Sequence, residues 1–214
     1  LVGNVPEQRR EVDDDADVRE SLRALLATRF YGHILAFPSG DAFLEDIDSR
    51  ESGVVLLDIY MPGRSGLDVL ECLHHRRDPH EIIVITGHGD VRSAVTAMKL
   101  EASEFLEKPY RQTELFAAID SSFSRLSARL ADDQQRRKAR RCIDRLTERE
   151  RQVLEGLIDG KSKKAIGASL KITARTVEFH RANVMGKLGV ETFPEAMRLM
   201  LLAERADPVH SHRV

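Results

Sequence analysis

The sequence predicts a doubly wound parallel α/β domain followed by an all-α, four-helix helix-turn-helix domain. Three observations predict it. Short apolar runs alternate with amphipathic segments through the first half. The second half reads as four short helices, two of them joined by a tight turn. Charge divides the same way: residues 1–123 hold 13 Lys+Arg against 23 Asp+Glu, and residues 124–214 hold 20 against 12, within an overall charge of −2.

In the first half, Val18, Leu22, Leu25 and Leu26 recur at helical spacing and predict a helix over 17–27. Apolar runs at 34–37, 54–57, 82–85 and 105–106 read as strands buried on both faces, with helices over 41–47, 66–75 and 91–100 between them. A fifth helix starts near Gln112 and carries Leu115, Ile119, Phe123, Leu126 and Leu130 on one stripe. The polar stretch that follows makes 124–141 a partly helical linker, so the expected divisions are 1–123, 124–141 and 142–208.

In the second half, Thr147 to Glu150 form a capping box in which hydroxyl and carboxylate satisfy each other's backbone amides. Gly160 marks a helix stop. Ser162 caps a short helix to Leu170, Lys171 and Ile172 turn the chain, and Thr173 caps a longer helix to Leu188. A last helix covers 193–204.

The apolar share of 42% suffices for packed cores, and 32% charged residues mark a solvated surface. No run approaches the roughly 18 uncharged apolar residues of a membrane span. Residues 1–11 lack the apolar segment of a secretory signal. The two cysteines, Cys72 and Cys142, fall in unrelated helices, which argues against a disulfide and for a reducing, cytoplasmic setting. An acidic half joined to a basic half directs a polyanionic partner to the second half alone.

Asp13 and Asp14 follow Val12, Asp58 closes one strand, Thr86 closes another, and Lys108 follows the last. The carboxyl ends of parallel strands form one crevice where ligands bind. Three carboxylates, a hydroxyl and an ammonium converging there suit reversible attachment of a phosphoryl group to an aspartate with help from a divalent cation. Like charges about 4 Å apart repel by about 4 kcal/mol at an effective dielectric near 20, so the cluster calls for a cation. Asp15 and Asp17 read instead as helix N-terminal charges, and His88 as a loop residue.

These motifs resemble those of two-domain bacterial response regulators of the FixJ/NarL type, with a receiver and a LuxR-type DNA-binding domain. The resemblance rests on Asp13-Asp14, on Asp58 followed by Met61-Pro62 and Gly66, and on Thr86 to Asp90. It continues through Phe105 three before Lys108-Pro109, then Leu146 to Glu150 and Thr176 to Arg181. It implies a flavodoxin-like five-stranded sheet of order 2-1-3-4-5. It implies Asp58 as phosphoacceptor, and Mg²⁺ held by Asp13, Asp14, Asp58 and the backbone carbonyl of Tyr60. Lys108 would pair with the phosphoryl oxygens, and Thr86 and Phe105 would form the switch. The implied partners are a sensor histidine kinase, double-stranded promoter DNA and a second copy of the chain when phosphorylated. Turnover beyond slow self-dephosphorylation is not expected.

On the helix after Thr173, Val177, Val184, Met185 and Leu188 share a packing face, while Arg175, Glu178, Phe179, Ala182 and Asn183 share the other. That second face suits the major groove: Glu178 can accept from a cytosine N4 and Phe179 can touch a thymine methyl. By resemblance Lys164, Thr176, His180, Arg181 and Lys187 contact phosphates or groove edges, and Lys161 and Lys163 can meet the backbone too.

Three positions depart from the family. The run Gln8-Arg9-Arg10-Glu11-Val12 stands where an apolar first strand belongs, and three charges conflict with burial on both faces. Glu101 stands where glycine is usual, and Lys163 where asparagine is frequent. The charged strand keeps a second reading open, a phosphorylation-independent receiver serving as a protein-interaction module.

Overall fold

The computed structural model describes residues 8–30, 34–47, 52–76, 78–87 and 89–204. His88 and residues 205–208 lie outside them. Two compact units, Leu1–Arg129 and Leu130–Val214, make up the chain.

The first unit alternates β1 (Arg9–Val12), α1 (Ala16–Ala27), β2 (Ile34–Phe37), α2 (Gly40–Asp46), β3 (Val54–Asp58), α3 (Gly66–Arg76), β4 (Glu81–Thr86), α4 (Val91–Lys99), β5 (Glu104–Glu107) and α5 (Gln112–Ile143). All pairings are parallel and the strand order is β2-β1-β3-β4-β5, as the resemblance implies. Because side chains alternate across a strand, each central strand feeds two cores. Val12, Val55, Leu57, Ile82 and Val84 pack with Phe43 of α2, Val69 and Leu70 of α3 and Ala97 of α4. Val54, Leu56, Ile83 and Ile85 pack with Leu22 and Leu26 of α1 and with Leu115 and Ile119 of α5.

The charged run at 9–12 does form an interior strand, against its polarity. Arg9, Arg10 and Glu11 are all buried there. The Arg9 guanidinium lies 4.1 Å from the Phe30 ring centroid and 4.8 Å from that of Phe123, so aromatic faces replace water around it. Arg10 donates to His80 Nε2 at 2.6 Å and to Gln8 Oε1 at 3.1 Å. Neither carboxylate oxygen of Glu11 has a hydrogen-bond partner among the described residues.

Helix α5 runs without a break through 124–141. Its early residues stay with the first unit: Leu126 is buried, and Arg125 and Arg129 each reach Glu81 at 3.2 Å. Glu101 adopts φ 64°, a left-handed conformation in which a side chain costs about 1 kcal/mol.

The second unit contains the end of α5, α6 (Glu148–Ile158), α7 (Lys163–Leu170), α8 (Ala174–Leu188) and α9 (Phe193–Glu204). The capping box at Thr147 and Glu150 is formed, and Ser162 and Thr173 cap α7 and α8 as the sequence requires. Gly160 has φ 73° just past α6, and Lys171 takes φ 57° in the turn between α7 and α8. Ile143, Leu154, Val184, Leu188, Ala196 and Met200 form the main core, and Val153, Ile166 and Val177 join α6, α7 and α8. Cys72 and Cys142 are both free thiols. Among the described residues no helix is long and apolar enough to cross a membrane.

Candidate functional site

Parallel register brings the chemistry to one end of the sheet. Val12 pairs with Leu57, Asp58 with Ile85, and Thr86 with Glu107, so Asp13, Asp58, Thr86 and Lys108 emerge side by side. Gly66 is needed here, since a Cβ at that position would lie 2.0 Å from the Asp58 carbonyl oxygen. Its amide donates to the Ile59 carbonyl at 2.9 Å, closing the loop that follows the aspartate.

Asp13, Asp14 and Asp58 each offer a carboxylate oxygen, all within 4.8 Å of one another. Lys108 Nζ bridges two of them, at 2.8 Å from Asp13 Oδ2 and 3.0 Å from Asp58 Oδ2. The Tyr60 amide donates to Asp58 Oδ1 at 3.2 Å. Burial holds the Asp58 carboxyl above its ordinary range, against the opposing pull of Lys108. Burial also works against the Lys108 ammonium, but its bonds to Asp13 and Asp58 prevail and raise its pKa. An all-oxygen set of this kind, part open to solvent, fits a small hard divalent cation.

Thr86 is fully buried at the end of β4, and its carbonyl accepts from the Lys108 amide at 2.8 Å. Phe105 is half-buried against the core beneath α4. Asp15 caps α1, accepting from the amides of Asp17 and Val18, which separates it from the three clustered carboxylates.

Two features of this region escaped the sequence reading. Glu11 lines the same cleft as Asp13, Asp58 and Lys108. Strand alternation was the available signal, since Glu11 and Asp13 stand two residues apart. The Tyr60 hydroxyl donates to Asp90 Oδ2 at 3.2 Å, and Asp90 is the N-cap of α4, so the loop after Asp58 is tied to that helix. Along α4, Val91, Val95 and Met98 leave an exposed apolar stripe.

In the second unit, Val177, Val184 and Leu188 of α8 are buried while Arg175 and Ala182 are exposed, as the helical spacing requires. Phe179 is 64% exposed, an aromatic without a core to cover it. Lys163 and Lys164 are exposed at the start of α7, and Lys163 forms an ion pair with Glu178. Arg181 lies 3.4 Å from the same carboxylate. Thr176 shares a 2.8 Å hydrogen bond with Thr173, Asn183 is half-buried, and His180 Nδ1 has no partner among the described residues. Lys187 pairs with the buried Glu150 at 2.7 Å.

Residues 11–120 match the response regulator receiver domain, and residues 144–200 match the luxR family of bacterial regulatory proteins. A receiver followed by a LuxR-type DNA-binding domain defines a class of transcription regulator. The transcriptional regulatory protein FixJ of Azorhizobium caulinodans is 42% identical over 192 residues, 90% of each chain. The response regulator protein TmoT of Ectopseudomonas mendocina is 35% identical over 88% of this chain and 85% of its own. Among solved structures, the response regulator StyR superposes with a TM-score of 0.80 at 35% identity, over 91% of this chain and 98% of that one. The chain belongs to the response regulators of the FixJ/NarL type.

Proposed function

We propose that Asp58 accepts a phosphoryl group from a sensor histidine kinase and that this controls promoter binding by the second domain. The observation that carries the reading is the Lys108 ammonium set 3.0 Å from Asp58 and 2.8 Å from Asp13. A positive charge already stands where phosphoryl oxygens would arrive.

Asp58 attacks phosphorus with a carboxylate oxygen, the phosphorus–nitrogen bond of the donor breaks, and the donor imidazole leaves. Asp13, Asp14, Asp58 and the Tyr60 carbonyl would hold Mg²⁺, which when bound supplies charge neutralisation for the transferring group. Lys108 then pairs with one phosphoryl oxygen and Thr86 turns its hydroxyl to another, and Phe105 moves into the vacated space. Charge-assisted bonds of this kind contribute about 1.5–3 kcal/mol each. Two of them approach the roughly 5.5 kcal/mol that carries a two-state balance from 1:99 to 99:1.

The apolar stripe of Val91, Val95 and Met98 supplies a surface on which two phosphorylated copies can pair. A dimer would present two α8 helices to half-sites about one or two turns apart. Glu178, Phe179, Arg175 and Asn183 would face base edges. Lys163, Lys164, Thr176, His180 and Arg181 would flank them toward the phosphates, with Lys187 acting through its Glu150 contact.

The test is phosphoryl uptake from acetyl phosphate by the full chain. Labelling that disappears in Asp58→Asn supports the assignment, and equal labelling of the variant removes it. The buried charges of β1 favour one alternative, a receiver that acts without phosphorylation. A metal-dependent spectroscopic change lost in Asp13→Ala excludes that alternative, and no metal binding at all favours it.

A further inference from the structure

We infer that Lys163 determines specificity in DNA binding: reaching from α7, it fixes the Glu178 carboxylate of α8 and so sets which base edge Glu178 can accept from. The inference rests on the reading of α8 as the groove-entering helix and deepens it.

Both oxygens of the Glu178 carboxylate face a cation. Lys163 Nζ is paired with Oε1, and Arg181 Nη1, one turn further along α8, lies 3.4 Å from Oε2. The two cations come from different helices, so the carboxylate lies between the start of α7 and the next turn of α8. The backbone that carries Lys163 is itself held firmly. Ser162 caps the helix that Lys163 begins, its Oγ accepting from the Ala165 amide at 3.2 Å. Gly167 packs so closely on the turn that a Cβ there would sit 2.7 Å from the Ile172 carbonyl oxygen, which locks α7 to the start of α8.

A half-exposed ion pair adds little to folding stability, so its consequence lies in where it points the carboxylate. Glutamate on an open helix face samples several rotamers, and ordering them on binding opposes affinity. A carboxylate already clamped avoids that loss and presents a fixed acceptor to one base pair. A neutral side chain at position 163 carries no charge to hold Glu178 in this way.

The experiment uses the full chain with acetyl phosphate and Mg²⁺, selecting from a randomised duplex pool and then measuring competition at two salt concentrations. Glu178→Gln should relax preference at one base pair by about tenfold, within the range of a side chain reading a base edge. Lys163→Asn and Lys163→Gln should shift preference at that same base pair by about fivefold, a smaller effect because the reader remains. In the Glu178→Gln background, Lys163→Asn should add no further change in preference. Lys164→Gln, a neighbouring exposed cation, should lower affinity evenly across sequences. Thermal melting of each variant confirms that the fold survives.

If both Lys163 variants weaken all sequences evenly, as Lys164→Gln does, while Glu178→Gln still relaxes one position, the inference is overturned and the groove reading stands. If Glu178→Gln leaves every preference unchanged, both are overturned.

Discussion

Arg10, in the interior strand β1, donates from Nη1 to Nε2 of His80 at 2.6 Å. A guanidinium can only donate, so Nε2 is the accepting nitrogen and Nδ1 carries the proton toward the Asp78 carboxylate. A half-buried carboxylate, a buried imidazole and a buried guanidinium thus form one chain. Removing the middle member strips a buried acceptor from Arg10. His80→Ala should destabilise the receiver by about 2–3 kcal/mol in urea unfolding. Replacing Arg10 by leucine in that background should restore most of the loss, because an apolar side chain suits a central strand. A loss below about 0.5 kcal/mol for His80→Ala, the usual scatter of surface changes, would show that Arg10 does not depend on this contact.

Glu11 gives the receiver an unusual pH response. Burial first, and the Asp13 charge second, push its carboxyl from an ordinary 4.5 up to about 8. A folded pKa above the unfolded one means the contribution is complete below about pH 4.5 and is lost as pH climbs toward 8. Unfolding free energy should therefore decline across that window, by an amount on the order of several kcal/mol at most. Glu11→Gln should flatten the decline, and Glu11→Leu should make the protein more stable at pH 8. Urea melts at pH 5 and pH 8 decide it; parallel pH profiles for the native chain and Glu11→Gln would be the contrary result.

The contrast between these two residues and the rest of the site shows what the sequence could disclose. Asp58 and Thr86 stand out in the sequence because each ends a strand buried along its length, and such strands spell continuous apolar runs; Lys108 follows β5, a half-buried edge strand marked only by Phe105 and Leu106. The caps at Thr147, Ser162 and Thr173 were legible because the groups they satisfy lie within three residues. Strand β1 broke the pattern because its compensation is distant: Phe30 and Phe123 receive Arg9, and His80, 70 residues away, receives Arg10. The early part of α5 is likewise held at a distance in sequence, where Glu81 meets Arg125 and Arg129. The bond from Lys187 to Glu150, 37 residues earlier, also leaves no local signal. Pattern reports local periodicity, whereas pairing across the fold is set by packing.

The Glu150 carboxylate joins a cap to a helix–helix contact. Its Oε2 accepts from the Thr147 amide at 2.8 Å and from Lys187 Nζ at 2.7 Å. Although burial opposes ionisation, the Lys187 and Thr147 bonds outweigh it and lower the Glu150 pKa. The stability it confers is therefore present above about pH 4.5 and lost as pH falls through the lowered value. Lys187→Gln should cost about 1–2 kcal/mol of stability in the second domain and leave the salt dependence of DNA binding unchanged. Lys164→Gln should do the reverse, reducing the slope of log K against log salt by about one. A reduced slope for Lys187→Gln would instead mark it as a phosphate contact.

Lys108 competes for the oxygens a metal would use. Its ammonium already bridges Asp13 Oδ2 and Asp58 Oδ2, two members of the acidic cluster. Removing that charge leaves the carboxylates repelling one another, by about 4 kcal/mol per pair at 4 Å and a dielectric near 20 before screening. Lys108→Met should therefore bind Mg²⁺ more tightly, by about tenfold if a third of that energy is realised. It should also gain more thermal stability from added Mg²⁺ than the native chain does. Phosphoryl transfer should nonetheless slow, because the same ammonium is the group proposed to pair with the incoming phosphoryl oxygens. Calorimetric titration with Mg²⁺ and a labelling time course from acetyl phosphate separate the two effects. Weaker Mg²⁺ binding in Lys108→Met would mean that Lys108 organises the carboxylates for the metal, and competition between the two cations would have to be abandoned.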